Sequence, residues 1–171
     1  MSTRTMLIVS DINSMFLPRA RHANDLFEGY QVIELDASRL AGVDGENDPG
    51  RRHEQFVSGG IERAANALVG RYPSGVDVAL GLSVGGTILW RAALKGLPVN
   101  NLVCLSSTRL RFETLAPQCT THLYFGELDP DRPNETWSLK LGRELDLVNG
   151  QGHGFYRDDG VFEILRKRLQ M

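Results

Sequence analysis

The sequence predicts an α/β fold, built on a parallel sheet with helices on both faces. Short apolar segments with the length of buried strands alternate along the chain with segments of helical character. This alternation is typical of parallel sheets, in which each helix packs back on the sheet. The chain has 171 residues and no linker between two apolar cores. We therefore expect one domain over residues 1–171, with about six mainly parallel strands.

Six segments have the composition of buried strands. They are Thr5–Val9, Tyr30–Leu35, Val76–Leu80, Asn101–Leu105, Thr120–Phe125 and Glu144–Val148. Helices are predicted between them from apolar spacing and from start and stop residues. They cover Met15–Phe27, Arg51–Arg71, Thr87–Lys95, Asn134–Leu141 and Val161–Leu169. Within Arg51–Arg71, Gly59-Gly60 either weaken the helix prediction or mark a kink. The segment Asp36–Gly50 is rich in glycine at its end and is predicted to be a loop.

Composition and charge argue against two classes of binding partner, nucleic acids and membranes. The chain is 42% hydrophobic and 23% charged with a net charge of −2, and it has no basic cluster typical of nucleic-acid binding. No run approaches the roughly 20 apolar residues that span a bilayer. No signal-peptide cleavage site follows the first residues, so we expect a cytoplasmic protein with neither nucleic-acid nor membrane partners. Cys104 and Cys119 are expected to be structural, and no cluster has metal-ligand spacing.

The most informative stretch is Gly81-Leu82-Ser83-Val84-Gly85-Gly86, which contains a Gly-x-Ser-x-Gly pattern. A predicted strand precedes it and a predicted helix follows it, so Ser83 lies on a strand-to-helix turn. Such a turn leaves no room for side chains two residues before and after the serine, which accounts for Gly81 and Gly85. The pattern matches neither the dinucleotide-binding Gly-x-Gly-x-x-Gly motif nor a P-loop. A nucleophilic serine is the interpretation that it favours.

Two further residues follow the ends of later strands. Asp129 comes after the fifth predicted strand, and His153 lies in a glycine-rich loop after the sixth. The carboxyl ends of parallel strands share one edge, so we expect both residues near Ser83. There Ser83 would attack a carbonyl carbon, His153 would accept its proton, and Asp129 would orient the imidazole. Asp131 is the alternative acid.

These motifs resemble those of the α/β-hydrolase superfamily. The similarity rests on Gly81–Gly86, on Gly126–Asp129 and on Gly150–Phe155, and it extends from the first strand to the last helix. The segments around the acid and the histidine look like those of small carboxylesterases and dienelactone-hydrolase-like proteins. The resemblance implies a serine hydrolase that needs no cofactor or metal. The connection Ser106–Gln118 holds only thirteen residues where many relatives insert a lid, so no cap domain is expected.

The second implication of the resemblance is an oxyanion hole formed by backbone N–H groups. The N–H of Val84, at the start of the helix, is one expected donor. Many relatives continue the first strand with His-Gly, whereas this chain has Ser10-Asp11, and the second donor is expected at Ile12. A carboxylate aimed into the hole would oppose the oxyanion. Either Asp11 points away, or the hole is weak, or the substrate carries a positive group.

The function expected from these residues is hydrolysis of a small carboxylic ester or thioester through an acyl-enzyme. Without a cap, the substrate would enter an open groove walled by Asn13–Phe16, Thr108–Phe112 and Phe155–Tyr156. Two alternatives remain open. A peptidase or amidase would use the same three residues, and a binding protein could keep the scaffold with a disabled oxyanion hole.

Overall fold

A single sheet of six parallel strands forms the centre of the structure. The computed structural model describes residues 4–18, 27–43 and 48–169. The strands are β1 (Arg4–Val9), β2 (Tyr30–Leu35), β3 (Val76–Leu82), β4 (Val99–Leu105), β5 (Thr120–Gly126) and β6 (Leu145–Val148). All six predicted strands are present, and all five neighbouring pairs are parallel.

The order of the strands across the sheet is β2-β1-β3-β4-β5-β6. The chain first moves outward from β1 to β2, then crosses back to β3 and continues in the opposite direction. A crevice therefore opens between the loops that follow β1 and β3. This place, where the strand order reverses between β1 and β3, is the switch point of the sheet. Ligands of open α/β sheets bind there, outside the carboxyl ends of the strands.

Helices cover both faces of the sheet, as the sequence predicts. They are α1 (Ala37–Ala41), α2 (Pro49–Gln55), α3 (Ile61–Arg71), α4 (Val84–Leu94), α5 (Glu135–Leu141) and α6 (Gly160–Leu169). Alternate strand residues enter two apolar cores: in β1, Leu7 and Val9 face one and Met6 and Ile8 face the other. Helices α1, α3, α4 and α5 close the first core, and α6 closes the second together with a 3₁₀ turn at Phe155–Arg157.

The segment Asp36–Gly50 is not the continuous loop that its glycines predict. It contains α1, and α2 begins at Pro49. The side chain of Asp36 accepts a hydrogen bond from the backbone N–H of Arg39 (3.0 Å), which caps the first turn of α1. A five-residue helix is too short to show apolar spacing, so the pattern could not reveal it.

The predicted helix Met15–Phe27 is wrong where it is described. Residues 15–18 are not helical and Phe27 lies in a turn, whereas residues 19–26 lie outside the described residues. The carboxylate of Asp11 accepts a hydrogen bond from the backbone N–H of Met15 (2.9 Å), and this bond holds the start of the segment as a loop. Side-chain bonds of this kind compete with helix formation.

The other helices keep the predicted positions, with two adjustments. The helix after Ser83 begins at Val84 rather than at Thr87, so both glycines of the turn belong to its first turn. Of the two interpretations of Gly59-Gly60, the structure shows the kink: the segment Phe56–Gly60 separates α2 from α3, with non-helical backbone at Ser58 and a φ of 114° at Gly59. Glycine reaches this backbone conformation without steric cost.

The connection Ser106–Gln118 carries no lid. Its one regular element is a 3₁₀ turn at Leu110–Phe112. The edge of the sheet beyond β3 and β4 is therefore not covered by an inserted domain. Within residues 4–18, 27–43 and 48–169, no helix combines the length and apolar character that crossing a membrane requires.

Candidate active site

Ser83 occupies a strained turn between β3 and α4. Its backbone angles are φ 51° and ψ −118°, a conformation that non-glycine residues rarely adopt. The turn is held by close contact. A β-carbon at Gly81 would come closer than 3.0 Å to the backbone of Gly86, and one at Gly85 would come as close to the carbonyl oxygens of Val9 and Ser10. The two glycines of the motif are therefore a steric requirement of this turn.

The structure brings Ser83, His153 and Asp129 into one chain of hydrogen bonds. The Oγ atom of Ser83 lies 3.1 Å from Nε2 of His153, and Nδ1 of His153 lies 2.9 Å from Oδ2 of Asp129. The side chain of Asp129 is fully buried, while that of His153 is 30% exposed. Both distances lie within the hydrogen-bond reach that a nucleophile, a base and an orienting acid require.

The loops that carry the acid and the histidine are joined to each other by backbone contacts. The N–H of Leu128 donates to the carbonyl of Gln151 (2.9 Å), and the N–H of Glu127 donates to that of Val148 (3.0 Å). Gly126 allows this approach, because a β-carbon there would collide with the backbone at Gln151. The distance between Asp129 and His153 is thus set by backbone structure on both sides.

Asp131, the alternative acid, has a different partner. Its carboxylate forms an ion pair with Arg111 (2.9 Å), and its backbone N–H donates to Oδ1 of Asp129 (2.9 Å). Donor atoms of Asp129, Asp131 and His153 lie within 4.8 Å of one another and could ligate a metal ion. Each of these side chains is already engaged, and the hydrogen bonds to His153 favour an acid–base role.

Two backbone N–H groups at the switch point are available to an oxyanion. Among the residues that the structure describes, neither the N–H of Val84 nor that of Ile12 has a hydrogen-bond acceptor. Val84 is the first residue of α4, where N–H groups lack partners within the helix and the helix dipole favours negative charge. Both residues line the same pocket as Ser83.

Asp11 does not project into this pocket. Its side chain is 1% exposed, and its carboxylate accepts four hydrogen bonds. Two of the donors, Tyr156 and Arg157, lie in the turn that follows His153. The sequence predicted Tyr156 as part of a groove wall and indicated no role for Arg157. Burial, followed by the charge of Asp11, raises the pKa of Tyr156 above its ordinary value of 10.0, so the phenol remains a donor.

The pocket beside Ser83 has a volume of about 270 Å³. Of the predicted walls, only Thr108–Phe112 line it; neither Asn13–Phe16 nor Phe155–Tyr156 does. The missing wall comes from the end of α2, the kinked segment Phe56–Gly60 and the start of α3. It consists of His53, Phe56, Val57 and Ile61. The glycine pair Gly59-Gly60 was the sequence signal that the backbone bends here.

Arg109 gives the pocket its net charge. Arg111 is neutralised by Asp131, whereas Arg109 has no carboxylate partner within the described part of the chain. Its guanidinium instead lies 4.8 Å from the centroid of the Phe112 ring. A stacked arginine keeps its charge, so the lining of the pocket includes a cation without a carboxylate partner among the described residues.

The two cysteines take no part in the site. Cys104 and Cys119 are both free thiols. Burial raises the pKa of Cys104 to about 12 and also raises that of Cys119. Since the thiolate is the reactive form, both are inert at neutral pH, in agreement with the structural role expected from the sequence.

Comparison with known proteins identifies the fold. No protein-family model and no curated protein sequence matches the chain. Among solved structures, an α/β hydrolase enzyme from the metagenome of Mar Chica lagoon sediments in Morocco is similar, with a TM-score of 0.67 and 15% identity. The match covers 99% of this chain and 91% of that enzyme.

Two further similar structures bear on the architecture. A dienelactone hydrolase-like promiscuous phosphotriesterase from metagenomic libraries has a TM-score of 0.64 at 16% identity, over 97% of this chain and 83% of its own. An α/β serine hydrolase without a lid from Xanthomonas campestris has a TM-score of 0.59 at 16% identity, over 99% and 83%. The chain therefore has the α/β-hydrolase fold, in the form that lacks a lid.

Proposed function

We propose that the protein is a serine hydrolase that cleaves a small carboxylic ester or thioester through an acyl-enzyme. The observation that carries the proposal is the continuous chain of hydrogen bonds from Ser83 through His153 to the buried Asp129, at 3.1 Å and 2.9 Å. A serine hydroxyl next to an imidazole is activated for attack only when a third group holds the imidazole in the correct tautomer.

The reaction proceeds in two halves. In the first, Oγ of Ser83 forms a bond to the carbonyl carbon while its proton moves to Nε2 of His153, and the bond to the leaving oxygen or sulfur breaks as His153 returns the proton. In the second, a water molecule gives a proton to Nε2 of His153 as its oxygen attacks the acyl carbon. The bond between that carbon and Oγ of Ser83 then breaks, His153 returns the proton to Oγ, and the acid is released. Asp129 remains ionised and stabilises the imidazolium in both halves.

The N–H groups of Val84 and Ile12 are the proposed oxyanion donors. Both are free of acceptors within the described residues, and both residues line the pocket that contains Ser83. Donors arranged in advance stabilise the charge that develops on the carbonyl oxygen at no cost of reorganisation. The engagement of Asp11 elsewhere removes the objection that its carboxylate would oppose the oxyanion.

Hydrolysis of p-nitrophenyl acetate and p-nitrophenyl butyrate tests the proposal. We expect the protein to hydrolyse both esters catalytically. We expect Ser83→Ala and His153→Ala each to lower kcat by about 10⁴-fold or more, because the two residues act as one unit. Ser74→Ala, a change at an exposed serine in a turn, is the matched control. If the wild type is no faster than folded Ser83→Ala, the proposal fails.

A fluorophosphonate probe separates the alternatives. A non-catalytic binding protein would not be labelled, whereas any hydrolase with an activated Ser83 would be labelled and would lose the label in Ser83→Ala. The two hydrolase classes differ in leaving group. An ester or thioester hydrolase should cleave p-nitrophenyl butyrate far faster than the corresponding p-nitroanilide, and the reverse result would favour the amidase.

The charge and size of the pocket sharpen the choice of substrate. A volume of about 270 Å³ suits a short acyl group, and the uncompensated Arg109 favours a substrate with an anionic group near the ester. Monomethyl glutarate and its carboxamide isostere differ only in that charge. We expect kcat/KM for the anion to exceed that for the isostere by about tenfold or more, and Arg109→Gln to lower the ratio. A ratio near one in the wild type would contradict this specificity.

A further inference from the structure

The carboxylate of Asp11 connects two loops that are distant in the sequence. Its Oδ1 atom accepts from the backbone N–H groups of Asn13 (2.8 Å) and Met15 (2.9 Å) in the loop after β1. Its Oδ2 atom accepts from the hydroxyl of Tyr156 (3.0 Å) and from Nη2 of Arg157 (3.2 Å). One oxygen therefore holds its own loop, and the other holds the turn that follows His153.

In the loop that Oδ1 holds, the backbone carbonyl of Asp11 determines the direction of the Ile12 N–H. This N–H shares a planar trans peptide with the carbonyl of Asp11, so the two point in opposite directions. The carbonyl accepts from the hydroxyl of Ser10 (3.1 Å) and from the N–H of Ser14 (3.1 Å). Because these bonds aim the carbonyl, they also aim the N–H that the proposed function assigns to the oxyanion.

The bonds on the second side act on the histidine loop. Tyr156 is fully buried, and its ring contacts that of His153 edge to face, with 6.2 Å between centroids. The phenol bonded to Asp11 thus stands directly against the imidazole. A shift of this turn would move His153 relative to both Ser83 and Asp129.

An ionised carboxylate is required for this arrangement. All four partners are donors, and a carboxylate is the side chain that accepts at both of its oxygens. An asparagine would direct its amide N–H groups at donors on one side. The burial of the charge is compensated by these four bonds, one of them from a guanidinium.

We propose that Asp11 is a positioning residue that couples the oxyanion loop to the histidine loop, so that the Ile12 N–H and His153 reach their working positions together. This inference rests on the proposed function. Asp11, one of the two residues that stand where many relatives have His-Gly, thus acts through its neighbours and without contact with the substrate.

The test compares Asp11→Asn with Asp77→Asn. Asp77 accepts a hydrogen bond from the N–H of Thr5 (2.7 Å) at the opposite end of β1, so the control makes the same change away from the site. For Asp11→Asn we expect kcat on p-nitrophenyl butyrate to fall about 10- to 100-fold with little change in KM, below the 10²- to 10³-fold typical of a lost oxyanion donor. Asp77→Asn should leave kcat unchanged.

Two further measurements exclude a merely structural role. A boronic acid that mimics the tetrahedral intermediate should lose affinity in Asp11→Asn by about the same factor as kcat/KM. In a double-mutant cycle, Asp11→Asn combined with Tyr156→Phe should lose less activity than the two single losses predict, because they break the same connection. Unchanged kcat in a folded but destabilised Asp11→Asn, or additive losses, would overturn the proposal.

A spectroscopic measurement keeps this inference distinct from the proposed function. In ¹⁵N NMR spectra, Asp11→Asn should shift both the amide signal of Ile12 and the imidazole signals of His153. If both shift in a protein whose wild type is inactive, the coupling stands and the hydrolase proposal fails. If the signal of Ile12 shifts and those of His153 do not, the coupling is wrong even if the enzyme is active.

Discussion

The two loops that flank the switch point are stabilised by different physical means. The turn that carries Ser83 is held by contact between backbones, which only glycine at positions 81 and 85 permits. The loop that carries Ile12 is held by hydrogen bonds to the buried carboxylate of Asp11. Steric exclusion does not depend on solution conditions, whereas hydrogen bonds to ionisable partners depend on pH. Two halves of one site can therefore be perturbed independently.

The difference also concerns distance along the chain. The contacts of the Ser83 turn involve residues within the motif and the end of β1, its neighbour in the sheet. The contacts of Asp11 reach the turn at Phe155–Arg157, near the other end of the chain. A rigid local turn thus holds Ser83, and a long-range connection holds the loops that carry Ile12 and His153.

The largest expected effect comes from disturbing the close backbone contacts that hold the Ser83 turn. Gly85→Ala would put a methyl group against the carbonyl oxygens of Val9 and Ser10, which belong to backbone that cannot move freely. We expect the free energy of unfolding to fall by roughly 3 kcal/mol, measured by urea denaturation.

Gly70→Ala is the matched control for that change. Gly70 lies in α3, and a β-carbon there would meet no atom within 4 Å. The same added methyl group should stabilise the protein by up to about 1 kcal/mol, because alanine favours a helix over glycine. Equal effects of the two substitutions would show that the contact at Gly85 does not determine the turn.

A smaller effect on the free energy of unfolding is expected from pH, because the loop of Ile12 is held by hydrogen bonds to the carboxylate of Asp11 and Tyr156 is one of the donors. The folded state holds the pKa of Tyr156 above 10.0, so above that pH the unfolded state loses the phenolic proton first. The contribution of this group to stability is complete below pH 10 and declines as the pH rises toward the folded-state pKa. Urea midpoints at about pH 9 and about pH 11 should therefore differ more in the wild type than in Tyr156→Phe.

The comparison with Tyr156→Phe also removes the contributions of the other tyrosines, which are present in both proteins. The variant lacks the hydroxyl that donates to Asp11 (3.0 Å), so it should also be slightly less stable at neutral pH, by about 1 kcal/mol. If the urea midpoints of both proteins declined by the same amount above pH 10, the buried phenol would not govern the pH dependence of stability.

The sequence by itself was sufficient for the parallel sheet, the helices on both faces and the position of Ser83 on a strand-to-helix turn. These features depend on local patterns: apolar runs of strand length, and glycines two residues from the serine. The absence of a lid was also predictable, because a connection of thirteen residues limits what can be inserted. Where the pattern was too short, as in the five residues of α1, prediction failed.

Only the tertiary structure decided which polar groups meet. Asp129 and Asp131 are two residues apart and have the same side chain, yet the fold directs one to His153 and the other to Arg111. Asp11 was open to three interpretations in the sequence, and its burial against Tyr156 and Arg157 selected the one in which it points away. Hydrogen bonds of this kind join residues about 145 positions apart. Their partners are set by how the strands are ordered and how the loops pack, and neither is encoded in any local stretch of the chain.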